Sequence, residues 1–310
     1  MSSSSFRTYS IHLSLFLITF FTTTLAGVQW LNRDLFDLGN FHLGLPYSLS
    51  LLAVLAAHEF GHYFTARYYN VNVTLPFFIP VPPFLVNPFG TMGAVIRIRS
   101  PLEQRRVLFD VGIAGPIAGL VVTICILAYG FTHLPARDYL YTMHPNYALL
   151  ESIPENGFTL GNSLLFAGLN VIASANNFVP PMNEIYHYPY LCVGWFGLFV
   201  TALNLIPIGQ LDGGHVLYAL VGSRVQGILA RLFFGALIVV GLASFVPFSG
   251  IRLHLGTTGW LVWAVILYFF IKLDHPEVPD PTPLSPGRKR LGWLIMAIFV
   301  VSFPPIPFLS

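Results

Sequence analysis

Apolar runs of about 20 residues recur along this sequence, the length at which a helix crosses the hydrocarbon core of a bilayer. Reading each run as a span gives residues 11–30, 45–68, 107–132, 191–208, 228–246, 257–271 and 291–308. The expected fold is therefore all-α, a polytopic transmembrane helix bundle of about six to seven spans. Composition agrees, with 55% hydrophobic and 9% charged residues and a mean hydropathy of +0.70, against roughly 25% charged residues in ordinary soluble domains. A net charge of +2 is too small to point to nucleic acid. Cys125 and Cys192 fall in apolar segments, form neither a disulfide framework nor a CxxC pair, and read as packing residues. The first run is read as a retained span rather than a secretory signal. Its basic region offers Arg7 alone, and it continues to Trp30 without a small-residue cleavage site.

Between the second and third spans, Leu75 to Arg97 is apolar yet crowded with Pro and Gly, which excludes a regular helix. It reads as a re-entrant, β-like loop with Gly90–Ile98 as an extended edge, tolerated at membrane depth where protein or a wet cavity satisfies its backbone. A greasy interfacial loop without a role is the competing reading. Orientation follows from Lys and Arg: with the amino terminus cytoplasmic, only Arg33, Arg137 and Arg252 of the 15 basic residues fall outside, the asymmetry that topology imposes. The expected organisation is a membrane-embedded domain over residues 1–275 with its core at about 45–220, an outside loop at 136–190, a Pro-rich linker at 276–290 and a C-terminal span at 291–310. Within the loop, residues 160–175 are too short to cross comfortably and read as an interfacial or half-inserted helix.

His58-Glu59-Phe60-Gly61-His62 lies in the second run, where nothing from Leu45 to Ala57 is charged. An unpartnered Glu costs several kcal/mol in hydrocarbon, so ionisable groups at that depth are functional candidates. On a helix His58 and His62 project from one face, close enough for both imidazoles to bind one divalent ion at about 2.0–2.1 Å. Glu59 lies about 100° round the helix from His58, beside the ion rather than on it, as a base for metal-activated water needs. Two histidines are an incomplete set, because catalytic zinc usually takes three protein ligands and keeps a fourth position open. Asp212 supplies the third donor. Pro207 lacks an amide hydrogen, and Gly209, Gly213 and Gly214 disfavour helix, so the fourth span should break there and let Asp212 approach the ion. The competing reading makes Asp212 a cap on a cytoplasmic turn.

HEFGH in one span and NLIPIGQLDGGH (204–215) in a later one together resemble the site-2 protease family of intramembrane zinc metalloproteases. The likeness runs from about Leu51 to His215 through GTMGAVIRIRSP (90–101) and GIAGPIAG (112–119). The resemblance implies a zinc metalloendopeptidase with one Zn2+ per chain held by His58, His62 and Asp212. Glu59 would be the general base that later protonates the leaving amine, and Asn204 would hold the scissile carbonyl or its oxyanion. For Asn204, satisfying the freed backbone of a broken helix is the alternative. The implied partner is the transmembrane segment of a membrane-protein substrate, which must unwind before attack, and the Gly90–Ile98 edge is the candidate to pair with it. Neither a PDZ nor a nucleotide-sensing domain is evident, a pattern similar to the PDZ-less, EGY-like branch. The expected setting is a bacterial cell membrane, with the site near its cytoplasmic side.

Gly112, Gly115 and Gly119, with Pro116, make a small-residue face that lets helices approach closely, a packing role. His215 is read as support for the site or as a solvent-facing residue. His12, His42, His133, His144, His187, His254 and His275 lack partner spacing and read as interfacial. Two other functions compete. A CAAX-type membrane metalloprotease would need a downstream Glu ligand, whereas Glu151, Glu155 and Glu184 fall in the outside loop and Glu103 and Glu277 in polar connections. A non-proteolytic zinc carrier or inactive helix-binding relative would need polar residues spread over several spans, which are otherwise nearly free of charge.

Overall fold

A computed structural model describes residues 3–83, 88–155, 157–174, 178–243, 245, 258–280 and 282–309. Residues 84–87 of the Pro-rich stretch, together with Val246, Arg252, His254 and Thr257, lie outside that set. The chain is mainly helical: α1 is Ser3–Trp30, α2 Leu45–Tyr68, α3 Arg105–Thr132, α4 Asp138–Tyr141, α5 Leu164–Ser174, α6 Pro189–Asn204, α7 Asp212–Ala243, α8 Gly259–Ile266 and α9 Pro286–Ser302. Among the described residues, four stretches are long and apolar enough to cross a membrane: Arg7–Trp30, Leu38–Tyr68, Arg105–Thr132 and Asp212–Ala243. Leu164–Ser174, Pro189–Asn204 and Gly259–Ile271 are apolar but shorter. Every predicted run thus contains a helix, and among the described residues length and composition qualify four of them.

The chain divides into two compact units. The first comprises Met1–Ser100, Ile117–Glu155 and Asn170–Gly197. Its α1 carries polar residues that a membrane helix must satisfy internally. Thr19, Thr23 and Thr24 donate to carbonyls four residues back, and the hydroxyls of Thr23 and Ser48 meet at 2.7 Å, tying α1 to α2. Thr22 Oγ1 donates to Gly90 O at 2.7 Å, and His12 Nδ1 donates to Pro76 O at 2.9 Å. The Pro-rich stretch is therefore held against α1 and is a β-ribbon over its described part. β1 (Phe77–Pro80) pairs antiparallel with β2 (Thr91–Val95), Phe77 opposite Val95. The bridge between Val73 and Ile98 extends the ribbon towards its ends. The expected extended edge exists, with its partner strand supplied by the preceding prolines' own neighbours.

α2 inverts the pattern of a soluble helix. His58, Glu59 and His62 are 6–7% exposed, whereas the apolar Leu49, Phe64 and Tyr68 are more than half exposed. In a soluble protein this would be an aggregation liability; in lipid it puts hydrocarbon outside and charge inside. Asn70, at φ 57°, takes the left-handed conformation that stops α2.

The second unit comprises Pro101–Pro116, Asn156–Leu169 and Leu198–Ser310. α8 and α9 pack on α7, and a short ribbon pairs β3 (Thr159–Leu160) with β4 (Phe308–Leu309). α7 is not one straight span: Gly222, at φ 82° and ψ 174°, kinks it. Arg288 grips Asp110 through Nε and Nη2 at 2.8 and 2.7 Å, a paired fork that fixes α9 against the start of α3. One expectation about the C-terminal region needs correction. The linker does not run extended to residue 290, because Ser285 accepts from Arg288 N and Pro286 fits the first helical position, so α9 starts there. The segment before α9 packs on its own unit: Val278 N donates to Tyr218 Oη at 2.8 Å and Leu284 is buried. Of the two cysteines, Cys192 is buried as expected while Cys125 is exposed.

Candidate metal centre

The first unit supplies the HEFGH half of the centre. Four residues apart on α2, His58 and His62 bring their Nε2 atoms to 3.1 Å, with the rings edge to face at 78°. Two nitrogens held at about 2.0–2.1 Å by a tetrahedral ion would stand about 3.3 Å apart. The observed spacing is that of a ligand pair. Both imidazoles are buried, and Glu59 follows His58 on the same turn, 7% exposed. The same 3.1 Å separation serves an N–H···N hydrogen bond between the two neutral rings when no ion is held. The residues present fit a zinc-type ion.

Gly119 backs His58. A Cβ built there would stand 3.2 Å from His58 Cβ and 3.4 Å from its Nδ1, closer than a buried ring tolerates without moving. The small-residue face expected on α3 thus presses on a candidate ligand. Replacing Gly119 by Ala is expected to tilt His58 and weaken zinc binding by about tenfold, in line with losses seen when the support of a ligand is disturbed. Competition against a chromogenic chelator measures this; an unchanged affinity would leave Gly119 a packing residue only.

In the second unit α6 ends at Asn204 and the chain breaks over residues 205–211 before α7 begins at Asp212. The cause is local. Pro207 has no amide hydrogen, Ile208 N turns back to Ile206 O at 2.8 Å, and Gly209 adopts φ 52° while its amide donates to Leu273 O at 3.1 Å. Leu205, Ile206 and Ile208 are wholly buried, so the break is fixed by packing. Gly213 and Gly214 lie so close to the carbonyls of Leu205 and Gly209 that a Cβ at either position would collide with them. Asp212 consequently heads a helix, where the positive end of the backbone dipoles favours its negative charge. Asn204 closes the preceding helix, half-buried.

The structure thus brings His58, Glu59 and His62 together on one helix of the first unit, and sets Asn204 and Asp212 at the two lips of a helix break in the second. His215 was read as solvent-facing or supporting. It is hydrogen-bonded: His275 Nδ1 donates to Pro276 O, so His275 Nε2 accepts from His215 Nδ1 at 2.7 Å. That places a proton on His215 Nδ1, directed at His275. A Cβ on Gly112 would meet His215 Cβ at 3.0 Å, again in keeping with the small-residue face. His275 is not interfacial as expected but buried, stacked on Tyr218 at 4.3 Å. Nor are His144 and His187 isolated. Their Nε2 atoms meet at 3.0 Å in the first unit, a contact across 43 positions that no local spacing could reveal.

The sequence profile of peptidase family M50 matches residues 46–248, a range that contains HEFGH, the ribbon, the helix break and Asp212. The chain belongs to that family, the site-2 protease family. Two similar proteins of Arabidopsis thaliana are named "Probable zinc metalloprotease EGY1, chloroplastic" and "Probable zinc metalloprotease EGY2, chloroplastic". The first is 30% identical over 270 residues, covering 84% of this chain and 43% of its own length. For the second the identity is 27% over 305 residues, 94% of this chain and 48% of the relative. A protein of Oryza sativa subsp. japonica with the EGY1 name is 30% identical over 267 residues, 85% of this chain and 40% of its own. This chain spans less than half the length of each of these relatives. The EGY-like branch expected from the sequence is the one these relatives carry. Their names give a chloroplast address, so the bacterial-membrane expectation finds no support in them.

Proposed function

We propose that the chain is a zinc metalloendopeptidase that hydrolyses peptide bonds within or near the transmembrane segment of another membrane protein. The observation that carries this reading is the pair of His58 and His62 nitrogens, 3.1 Å apart on the buried side of a helix long enough to span a bilayer. Family membership and the relatives' names support it.

In the proposed centre Asp212 is the third protein donor, its carboxylate offsetting charge that two neutral imidazoles leave uncompensated. Bound there, zinc would make water nucleophilic near neutral pH and polarise the scissile carbonyl. Glu59 takes the proton from the attacking water and hands it to the leaving amine. Asn204 donates its amide hydrogens to the carbonyl oxygen as negative charge grows on it. The low exposure of His58, Glu59 and His62 keeps bulk water from competing for these contacts.

A substrate helix hides its carbonyls in its own hydrogen bonds, so it must unwind, and the proposed receiver of the unwound strand is β2. That strand packs beside α2, and it would take the substrate by strand addition. The proposal keeps six to seven spans and sets HEFGH near the side rich in Lys and Arg.

The test is reconstitution of the purified chain in vesicles with single-span membrane proteins. New peptide termini inside the span are expected, lost on treatment with a zinc chelator and restored by added zinc. Cleavage that persists in the chelator, or that falls only in soluble tails, would contradict the reading.

A further inference from the structure

The segment between α3 and α6 contains a second cluster with the chemistry of a metal site. His144, Glu184 and His187 each offer one ligand atom, all within 4.8 Å of one another. His144 Nε2 and His187 Nε2 are 3.0 Å apart, and Glu184 Oε2 lies 3.4 Å from the first and 3.6 Å from the second. A tetrahedral ion with ligands at about 2.0–2.2 Å spaces its donors by about 3.3 Å, so the three edges bracket the required triangle. Glu184 and His187 are 2% and 0% exposed, and only His144 reaches solvent, at 24%.

The protons are arranged for a cation. His187 Nδ1 donates to Trp30 O at 2.5 Å, so the lone pair of that ring is on Nε2 and points into the cluster. This is the outer contact that orients histidines on metals. On Glu184, Oε1 is satisfied by Tyr147 Oη at 3.0 Å and Asn183 Nδ2 at 3.1 Å. Oε2 is buried and accepts no hydrogen bond. A carboxylate oxygen in that position is costly unless something positive faces it.

We infer that His144, Glu184 and His187 form a second site for a zinc-type divalent cation, independent of the HEFGH centre. His144 carries its proton on Nδ1 when the ion is held, which frees Nε2 to bind. The fourth position opens on the His144 side and takes water. The ion joins the turn at Pro145–Leu149 to the turn at Ile185–His187, and through His187 to the end of α1 at Trp30.

Zinc per chain, measured by elemental mass spectrometry on the detergent-purified chain after loading with zinc sulfate and dialysis, tests this. Two ions are expected in the parent chain, one in Glu184→Gln, one in the His58→Ala/His62→Ala chain and none in the triple variant. A Glu184→Gln chain that keeps the parent's zinc, or a His58→Ala/His62→Ala chain that keeps none, overturns the inference. One ion in the parent, lost in Glu184→Gln, would instead uphold this site and sink the HEFGH reading. Should Glu184→Gln fail to fold, cobalt(II) titration of the His58→Ala/His62→Ala chain decides: saturable visible absorption of a tetrahedral ion is expected, and its absence overturns the site.

Discussion

Replacing Glu59 by Gln is expected to cut peptide cleavage by about 10²- to 10⁴-fold, the usual contribution of a positioned general base, while the bound zinc stays. The substitution keeps the size of a side chain that is 7% exposed and removes only its ability to take a proton. Because His58 and His62 flank it on α2 and are unchanged, the nitrogens 3.1 Å apart still make a ligand pair. Rates on a reconstituted single-span substrate, read beside zinc content, separate the two roles. Full activity in the variant would remove Glu59 from the base position, and loss of zinc would make it a ligand instead.

Asp212→Ala should act on the other quantity. Without the carboxylate, the ion would face two neutral imidazoles and water in a membrane-buried setting, with its charge uncompensated. Zinc affinity at the HEFGH centre is expected to fall by more than about a hundredfold, beyond the loss typical of outer contacts, and activity with it. The measurement belongs in the Glu184→Gln background, so that the loop site contributes no zinc. Retention of the ion would return Asp212 to the competing role of capping α7, for which its position at the helix start also suits it.

The parts of the site that were legible in the sequence rest on short-range rules. The four-residue spacing of His58 and His62 becomes one helical face whatever the tertiary context. Likewise Pro207 and Gly209 forbid continued helix, and the chain does break between Asn204 and Asp212. The Gly90–Ile98 edge was readable, but its partner was obscured because Pro76, Pro80 and Pro82 disguise a strand whose register shifts at Pro80. Residues 286–290 were assigned to the linker on Pro content, although Ser285 followed by a first-turn Pro is a helix start. The kink at Gly222 left no mark beyond a single glycine.

Long-range contacts account for the remainder. His144 meets His187 across 43 positions and His215 meets His275 across 60, so spacing rules had nothing to act on. An apolar run also reports hydrophobicity more faithfully than span length. α6 is 16 residues long and α8 only 8 before its last turn widens over Leu267–Ile271, so among the described residues neither meets the length of a crossing.

The account turns on where one zinc ion sits, and anomalous diffraction at the zinc absorption edge from crystals of the full chain locates it. A peak is expected at about 2.0–2.1 Å from both His58 Nε2 and His62 Nε2, with a carboxylate oxygen of Asp212 at about 2.0–2.2 Å from the same peak. Zinc-loaded crystals with no peak between the two imidazoles, or with one whose third protein ligand is a residue other than Asp212, would contradict it.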